Sequence, residues 1–94
     1  MKFYVYVLLS KYKHKFYTYV GYTKDVVNRL DLHNKNKGAK YTKGKKWIII
    51  YKKLYKTKSS ALKFEYYLKK NRKKRNEIKM NFIKNNEHID FTSI

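Results

Sequence analysis

Two short runs of aromatic and β-branched residues close to the N-terminus constrain this chain more than any other feature: Phe3-Tyr4-Val5-Tyr6-Val7-Leu8-Leu9 and Phe16-Tyr17-Thr18-Tyr19-Val20-Gly21-Tyr22. Each has the composition and length of a β-strand. The polar segment from Ser10 to Lys15 between them predicts an antiparallel hairpin with a longer connection. Gly21 closes the second strand, where the lack of a Cβ suits a turn or a close backbone approach. Thr23 then occupies an N-cap position with Asp25 in the first turn, and Val26, Val27 and Leu30 mark one stripe of a helix to about Asn34. Trp47 to Tyr55 reads as a third strand, apolar enough to lie centrally in a small sheet.

Thr57, Ser59 and Ser60 offer caps for a second helix. Its buried side is expected to carry Ala61, Leu62, Leu68 and one of Phe64 or Tyr66, and the basic run Lys69 to Arg75 ends it in the manner that the helix dipole favours. Ile78, Phe82 and Ile83 predict a short third helix packing back, and residues 86–94 read as a loose tail. The expected order is β-β-α-β-α-(α) in one domain, residues 1–85. No repeat or linker divides it.

Charge narrows the function. In 94 residues, 25 Lys and Arg face 6 Asp and Glu, a net charge of +19 at pH 7. All the basic residues are lysine except Arg29, Arg72 and Arg75, a bias that AT-rich codons favour, but codon bias does not remove acids. Between Asp31 and Glu77 the one carboxylate is Glu65. A polyanion is the partner such a chain attracts, by counterion release. Nucleic acid is favoured over an anionic membrane surface, because no long basic amphipathic helix with a bulky apolar face is present. The 43% hydrophobic and 18% aromatic content is too rich for a disordered basic tail.

The absence of Cys excludes disulfides, a thiol nucleophile and thiolate zinc sites, and His14, His33 and His88 are too few and too scattered to suggest a histidine cage. The longest apolar run, Trp47 to Tyr51, is far short of the roughly 18 residues of a membrane span. With no secretory h-region at the N-terminus, an intracellular protein, cytoplasmic by default, is expected.

Several residues could carry chemistry. Glu65 lies four residues after Ala61 and three before Leu68, on the apolar stripe of its helix. A carboxylate there must be paired with a cation of the protein, neutral, or bound to a metal ion. Mg²⁺ commonly takes only one or two protein carboxylates. Arg29 and His33, four apart, share a helix face, either as solvated residues or as a cation and a proton carrier beside a phosphodiester. Tyr6 and Tyr19 are strand residues by composition, and a phenol becomes a base near pH 7 only where cations lower its pKa. Residues 35–46 form a basic, glycine-punctuated loop suited to phosphates.

Taken in order, Tyr4-Val5-Tyr6, Tyr19-Val20-Gly21, Asn28-Arg29-Leu30 with His33-Asn34, Gly38-Ala39-Lys40-Tyr41-Thr42 and Ala61-Leu62-Lys63-Phe64-Glu65 resemble the motifs of the GIY-YIG nuclease family. The resemblance covers about residues 3–75. The long first connection, His33-Asn34, Trp47 and the Ala61 to Glu65 string look especially like the catalytic domain of structure-specific nucleases that resolve branched DNA, and the Gly38 to Thr42 loop is similar to small stand-alone bacterial members. Tyr4 stands where the family has glycine.

This resemblance implies an α+β fold, a three-stranded antiparallel sheet flanked by helices. It also implies hydrolysis of DNA phosphodiesters with Mg²⁺ or Mn²⁺. By matched position Tyr6 would help activate the attacking water, with Tyr19 shaping that site. Arg29 would hold the scissile phosphate, His33 would orient or relay a proton, Glu65 would bind the metal, and Gly21 would let the backbone pass closely. Lys40, Tyr41, Lys43, Lys45, Lys46 and Arg72 are the expected DNA contacts. Related branched-DNA nucleases have a zinc-binding partner domain or a second subunit. With no Cys in this chain, targeting is expected from its basic face or from a protein partner. The alternative function is a non-catalytic basic nucleic-acid-binding protein that keeps the fold.

Overall fold

The structure is a computed structural model that describes residues 2–86. The expected tail, apart from Asn86, lies outside the described residues. The two aromatic runs form β1 (Phe3–Tyr12) and β2 (Lys15–Thr23), followed by α1 (Val26–Asn34), a single 3₁₀ turn (Lys40–Thr42), β3 (Ile48–Tyr55), α2 (Lys58–Lys70) and α3 (Arg72–Asn85). The sheet is antiparallel throughout, in the order β2-β1-β3. The fold is therefore the expected α+β arrangement.

Strand β1, not β3, takes the centre. Val5 to Ser10 are all buried, which requires cover on both faces of the strand. Side-chain alternation divides that cover into two cores. Phe3, Val5 and Val7 pack with Val20, Ala61, Leu68 and Ile78 under α2 and α3, while Tyr6 and Leu8 pack with Val26 and Trp47 on the α1 side. The third strand was expected centrally because of Ile48 to Ile50. It carries Lys52 and Lys53, both exposed, and a strand with two lysines belongs at an edge, where charge also discourages pairing with other chains. A β-bulge lies at Ile50, since Val7 faces Tyr51 while Leu8 faces Ile49. The extra residue lets consecutive Ile50 and Tyr51 both pack toward α2, while Ile49 joins the Tyr6 side.

Local chemistry moves several expected boundaries. The strands run on to Tyr12 and Lys15, so the hairpin turn is only Lys13-His14, both left-handed with φ of 50° and 68°. Two consecutive positive φ angles are those of a type I′ turn, whose twist matches the flanking strands. The cap of α1 is Asp25, accepting from the Asn28 amide at 3.0 Å, while Thr23 accepts the Asp25 amide at 3.2 Å one turn earlier. Val27 is 78% exposed, and the inward stripe is Val26, Leu30 and His33.

Thr57 caps α2, accepting from the Ser60 amide at 3.2 Å, but Leu62 and Tyr66 face outward and Phe64 packs inward. The basic run does not end one helix. Asn71 closes α2 and caps α3, accepting from the Lys74 amide at 2.9 Å, so Arg72 to Arg75 open a third helix that is longer than expected. Cations at a helix N-terminus oppose its dipole. Arg75 offsets this by donating to the Leu68 and Lys69 carbonyls at 2.7 and 2.6 Å, completing the end of α2.

Candidate active site

Tyr6 lies at the centre of β1, and its ring covers Gly21 across the β1–β2 ladder. A Cβ at Gly21 would meet the phenol Cζ and Oη at 2.3 Å, so this position has no room for a side chain while Tyr6 holds its place. The phenol is 1% exposed and meets His33 Nε2 at 2.9 Å. His33 arrives from the inward stripe of α1 and is fully buried. The 38–42 segment closes over it, with a Cβ at Gly38 falling 2.2 Å from Nδ1 and Thr42 Oγ1 lying 2.8 Å from the same nitrogen. Two glycines thus bracket one hydrogen-bonded pair.

The network fixes the tautomer. Thr42 has one hydroxyl proton, and the Ala39 carbonyl at 2.9 Å can only accept it. His33 Nδ1–H therefore donates to Thr42 Oγ1, which leaves Nε2 to accept from the Tyr6 hydroxyl. The Ala39 amide lies 3.5 Å from Nδ1, beyond the range of a good bond. Burial and, secondarily, the Arg29 charge lower the imidazole pKa to about 4, so His33 is neutral at pH 7. Burial chiefly raises the Tyr6 phenol to about 12; the neighbouring Arg29 guanidinium opposes this, and Tyr19 and Glu65 add to it.

Arg29 and Glu65 thus both act on the Tyr6 hydroxyl, from α1 and α2 respectively. Arg29 is half-buried, and its positive charge is felt at that hydroxyl. The Glu65 side chain is 18% exposed and pairs with Lys69 at 3.5 Å. That is loose for a charge-assisted bond, which runs at roughly 2.7–2.9 Å. No group of three or more acidic, His or Cys ligands occurs among the described residues. Glu65 fits a cation that takes one protein carboxylate and completes its shell with water and substrate phosphate, as Mg²⁺ does. It does not fit a multi-ligand protein cage.

Tyr19 packs against His33 with ring centroids 5.0 Å apart and stacks on Tyr41 at 6.2 Å. β2 is an outer strand, so α2 and α3 side chains reach round it. Lys69 and Arg75, with Thr18, Tyr19 and Tyr41, line a concavity of about 310 Å³. The basic loop is held by Asn34, which accepts the Trp47 amide at 2.7 Å and donates to its carbonyl at 3.0 Å, and by the buried Trp47 indole, donating to the Thr42 carbonyl at 2.9 Å. Of the expected DNA contacts, Lys40, Tyr41, Lys43 and Lys46 are exposed on this loop. Lys45 is instead drawn among the rings of Tyr12, Tyr17 and Tyr41, 5.0–6.0 Å from their centroids. Arg72 lies apart, beside Tyr66 and Tyr67 at the start of α3.

Sequence reasoning did not assign Thr42, Gly38, Lys69 or Arg75. The first two lie in the Gly38-Ala39-Lys40-Tyr41-Thr42 string, whose small and hydroxyl residues were the available signal. Nothing in the spacing of the basic run separates Lys69 and Arg75 from their neighbours.

Known proteins share this arrangement's sequence. The UPF0213 proteins of Staphylococcus aureus strains Mu3 and COL are each 50% identical over 52 residues, covering 54% of this chain and 63% of theirs. The match thus spans less than two thirds of those relatives. The solution NMR structure of the UPF0213 protein BH0048 from Bacillus halodurans is 33% identical, over 86% of this chain and 84% of that one, with a TM-score of 0.46. The profile described as the GIY-YIG catalytic domain matches residues 2–80, and with that match the chain belongs to the GIY-YIG family of nuclease domains.

Proposed function

We propose that this protein is a divalent-metal-dependent DNA endonuclease hydrolysing phosphodiester bonds, with branched or repair and recombination intermediates as substrates. The observation that carries the reading is the buried Tyr6–His33 bond of 2.9 Å, formed beside the positive charge of Arg29. Tyr6 Oη would take a proton from the attacking water as its own proton passes to His33 Nε2, and Thr42 would hold the imidazole in the tautomer that can accept it. Arg29 would bind the scissile phosphate, and Tyr19 would wall the site. The exposed Lys40, Tyr41, Lys43 and Lys46 would seat the flanking backbone, with a protein partner or this basic surface supplying targeting.

A proton moving from a phenol near 12 to an imidazole near 4 goes uphill by about eight decades in equilibrium constant. In the free protein the pair therefore stays neutral. A Mg²⁺ or Mn²⁺ ion held by Glu65 supplies, when bound, Lewis-acid charge at the scissile phosphate and a counter-charge that lowers the neighbouring phenol's pKa.

The loose Glu65–Lys69 pair also suits a non-catalytic DNA-binding protein, in which that carboxylate is simply neutralised. Labelled flap, junction, single-stranded and duplex DNA, each with Mg²⁺, Mn²⁺ or EDTA, separate the two. Cleavage is expected only with metal, falling at least about a hundredfold in Tyr6→Phe and Glu65→Ala. Equal cleavage by wild type and Glu65→Ala would remove the metal assignment. Binding by both without cleavage would establish the binding protein.

A further inference from the structure

The outer side of α2 carries a feature that the catalytic reading leaves unused. Ala61, Phe64 and Leu68 face the core, and helical spacing sets Ser59, Lys63, Tyr66 and Lys70 on the far side. Tyr66 is 62% exposed, and Lys70 Nζ stands 5.5 Å from its ring centroid. Two open depressions flank it. One, of about 590 Å³, is lined by Lys58, Ser59, Leu62, Lys63 and Tyr66. The other, of about 500 Å³, is lined by Lys63, Tyr66, Tyr67, Lys70, Asn71 and Arg72. Tyr66 and Lys63 belong to both and form the ridge between them. Neither depression has a carboxylate in its lining, and the nearest in sequence, Glu65, turns toward Lys69 and the Tyr6 side.

We propose that this face of α2 binds single-stranded DNA, with a base stacked on Tyr66 and the adjoining phosphates held by Lys63, Lys70 and Arg72. A projecting aromatic ring among cations, without acids, complements a strand that offers both unpaired base faces and phosphates. A duplex offers the same phosphates but keeps its base faces stacked, so the ring gives the surface a preference that charge alone does not. Leu62, 39% exposed, is the one aliphatic side chain lining these depressions, and Lys58, Lys63 and Lys70, which surround the tyrosine rings, are of the type depleted from the cores of protein interfaces. The inference does not depend on the catalytic reading, because binding here involves neither Tyr6 nor a metal.

Fluorescence anisotropy of the full chain with labelled oligo-dT of roughly a dozen nucleotides, and with a duplex of equal length, tests it in EDTA. Tyr66→Ala is expected to weaken oligo-dT binding by at least about fivefold while changing duplex binding less than about twofold, and Tyr66→Phe should keep wild-type affinity. Replacing Lys63 and Lys70 by Gln should reduce the slope of log affinity against log salt for oligo-dT. An unchanged melting temperature establishes that these exposed substitutions leave the core intact. Equal weakening of both ligands by Tyr66→Ala, or no weakening of oligo-dT, overturns the proposal. So does a sedimentation change with unaltered oligo-dT binding, which would make the face a contact between copies of this chain.

Discussion

His33 and Tyr6 are each held in the neutral form by burial, and the consequence for His33 is measurable without any substrate. Its pKa falls from 6.5 in the unfolded chain to about 4 in the folded one. Between those values the unfolded state binds more protons, so stability rises with pH through the window and is lost as pH falls. The loss attributable to this group is about 2 kcal/mol on going from neutral pH to pH 5. Urea denaturation midpoints across that range should therefore decline in the wild type and decline much less in His33→Gln, whose side chain does not titrate. Parallel declines would mean that the imidazole accepts protons in place, contrary to its being held neutral by burial. The i, i+4 spacing in the sequence placed Arg29 and His33 on one helix face, but spacing alone does not say whether that face meets solvent or sheet. The answer lies in the small residues of two other segments: Gly21 admits the Tyr6 ring, and Gly38 lets the loop close on the imidazole.

At the scale of elements, the strands and helices were legible where periodicity and side-chain volume agree, and illegible where a boundary depends on backbone conformation. The two aromatic runs gave a hairpin, yet its turn carries neither Gly nor Asn, so the sequence offered no sign that Lys13 and His14 take left-handed angles. The same limit hid the α2–α3 junction, because the single non-helical residue Asn71 sits inside a uniformly basic run. The order of strands was lost for another reason: local hydrophobicity ranked β3 above its true place, and the lysines at its far end decided the matter. Left-handed non-glycine residues cost about 1 kcal/mol or more each. The double substitution Lys13→Asn with His14→Gly, matching the preferred type I′ pair, should stabilise the fold by about 1 kcal/mol. The melting temperature should rise by about 4–8 °C. A fall instead would mean that the entropy of the new glycine and the loss of the Lys13 ammonium from the Tyr12 ring, 5.3 Å from its centroid, outweigh the relief of backbone strain.

For the molecule as a whole, the net charge of +19 has two effects of opposite sign. It attracts polyanions, and it strains the folded state by self-repulsion. Relief within the protein is slight: among the described residues the ion pairs are Lys35–Asp31, Lys69–Glu65 and Lys74–Glu77, each local to one helix or its cap and spaced three or four residues apart. They are local and largely solvent-screened, and such pairs contribute little. The radius of gyration is 13.0 Å, comparable to the Debye length of about 10 Å at 0.1 M salt, so added salt screens repulsion across the whole body. The melting temperature of the free protein should therefore climb steadily as NaCl rises from about 50 to 500 mM. With excess DNA present the curve should differ in shape. At low salt, bound DNA stabilises the fold in proportion to the logarithm of its concentration over the dissociation constant, and that contribution shrinks as affinity falls steeply with salt. Melting temperature should then first drop with salt and afterwards rise to join the free-protein curve, the minimum marking where DNA is released. A flat curve for the free protein would show that the lysines are far enough apart to be indifferent to one another. Monotonic curves with and without DNA would show that binding contributes too little stability to offset the screening.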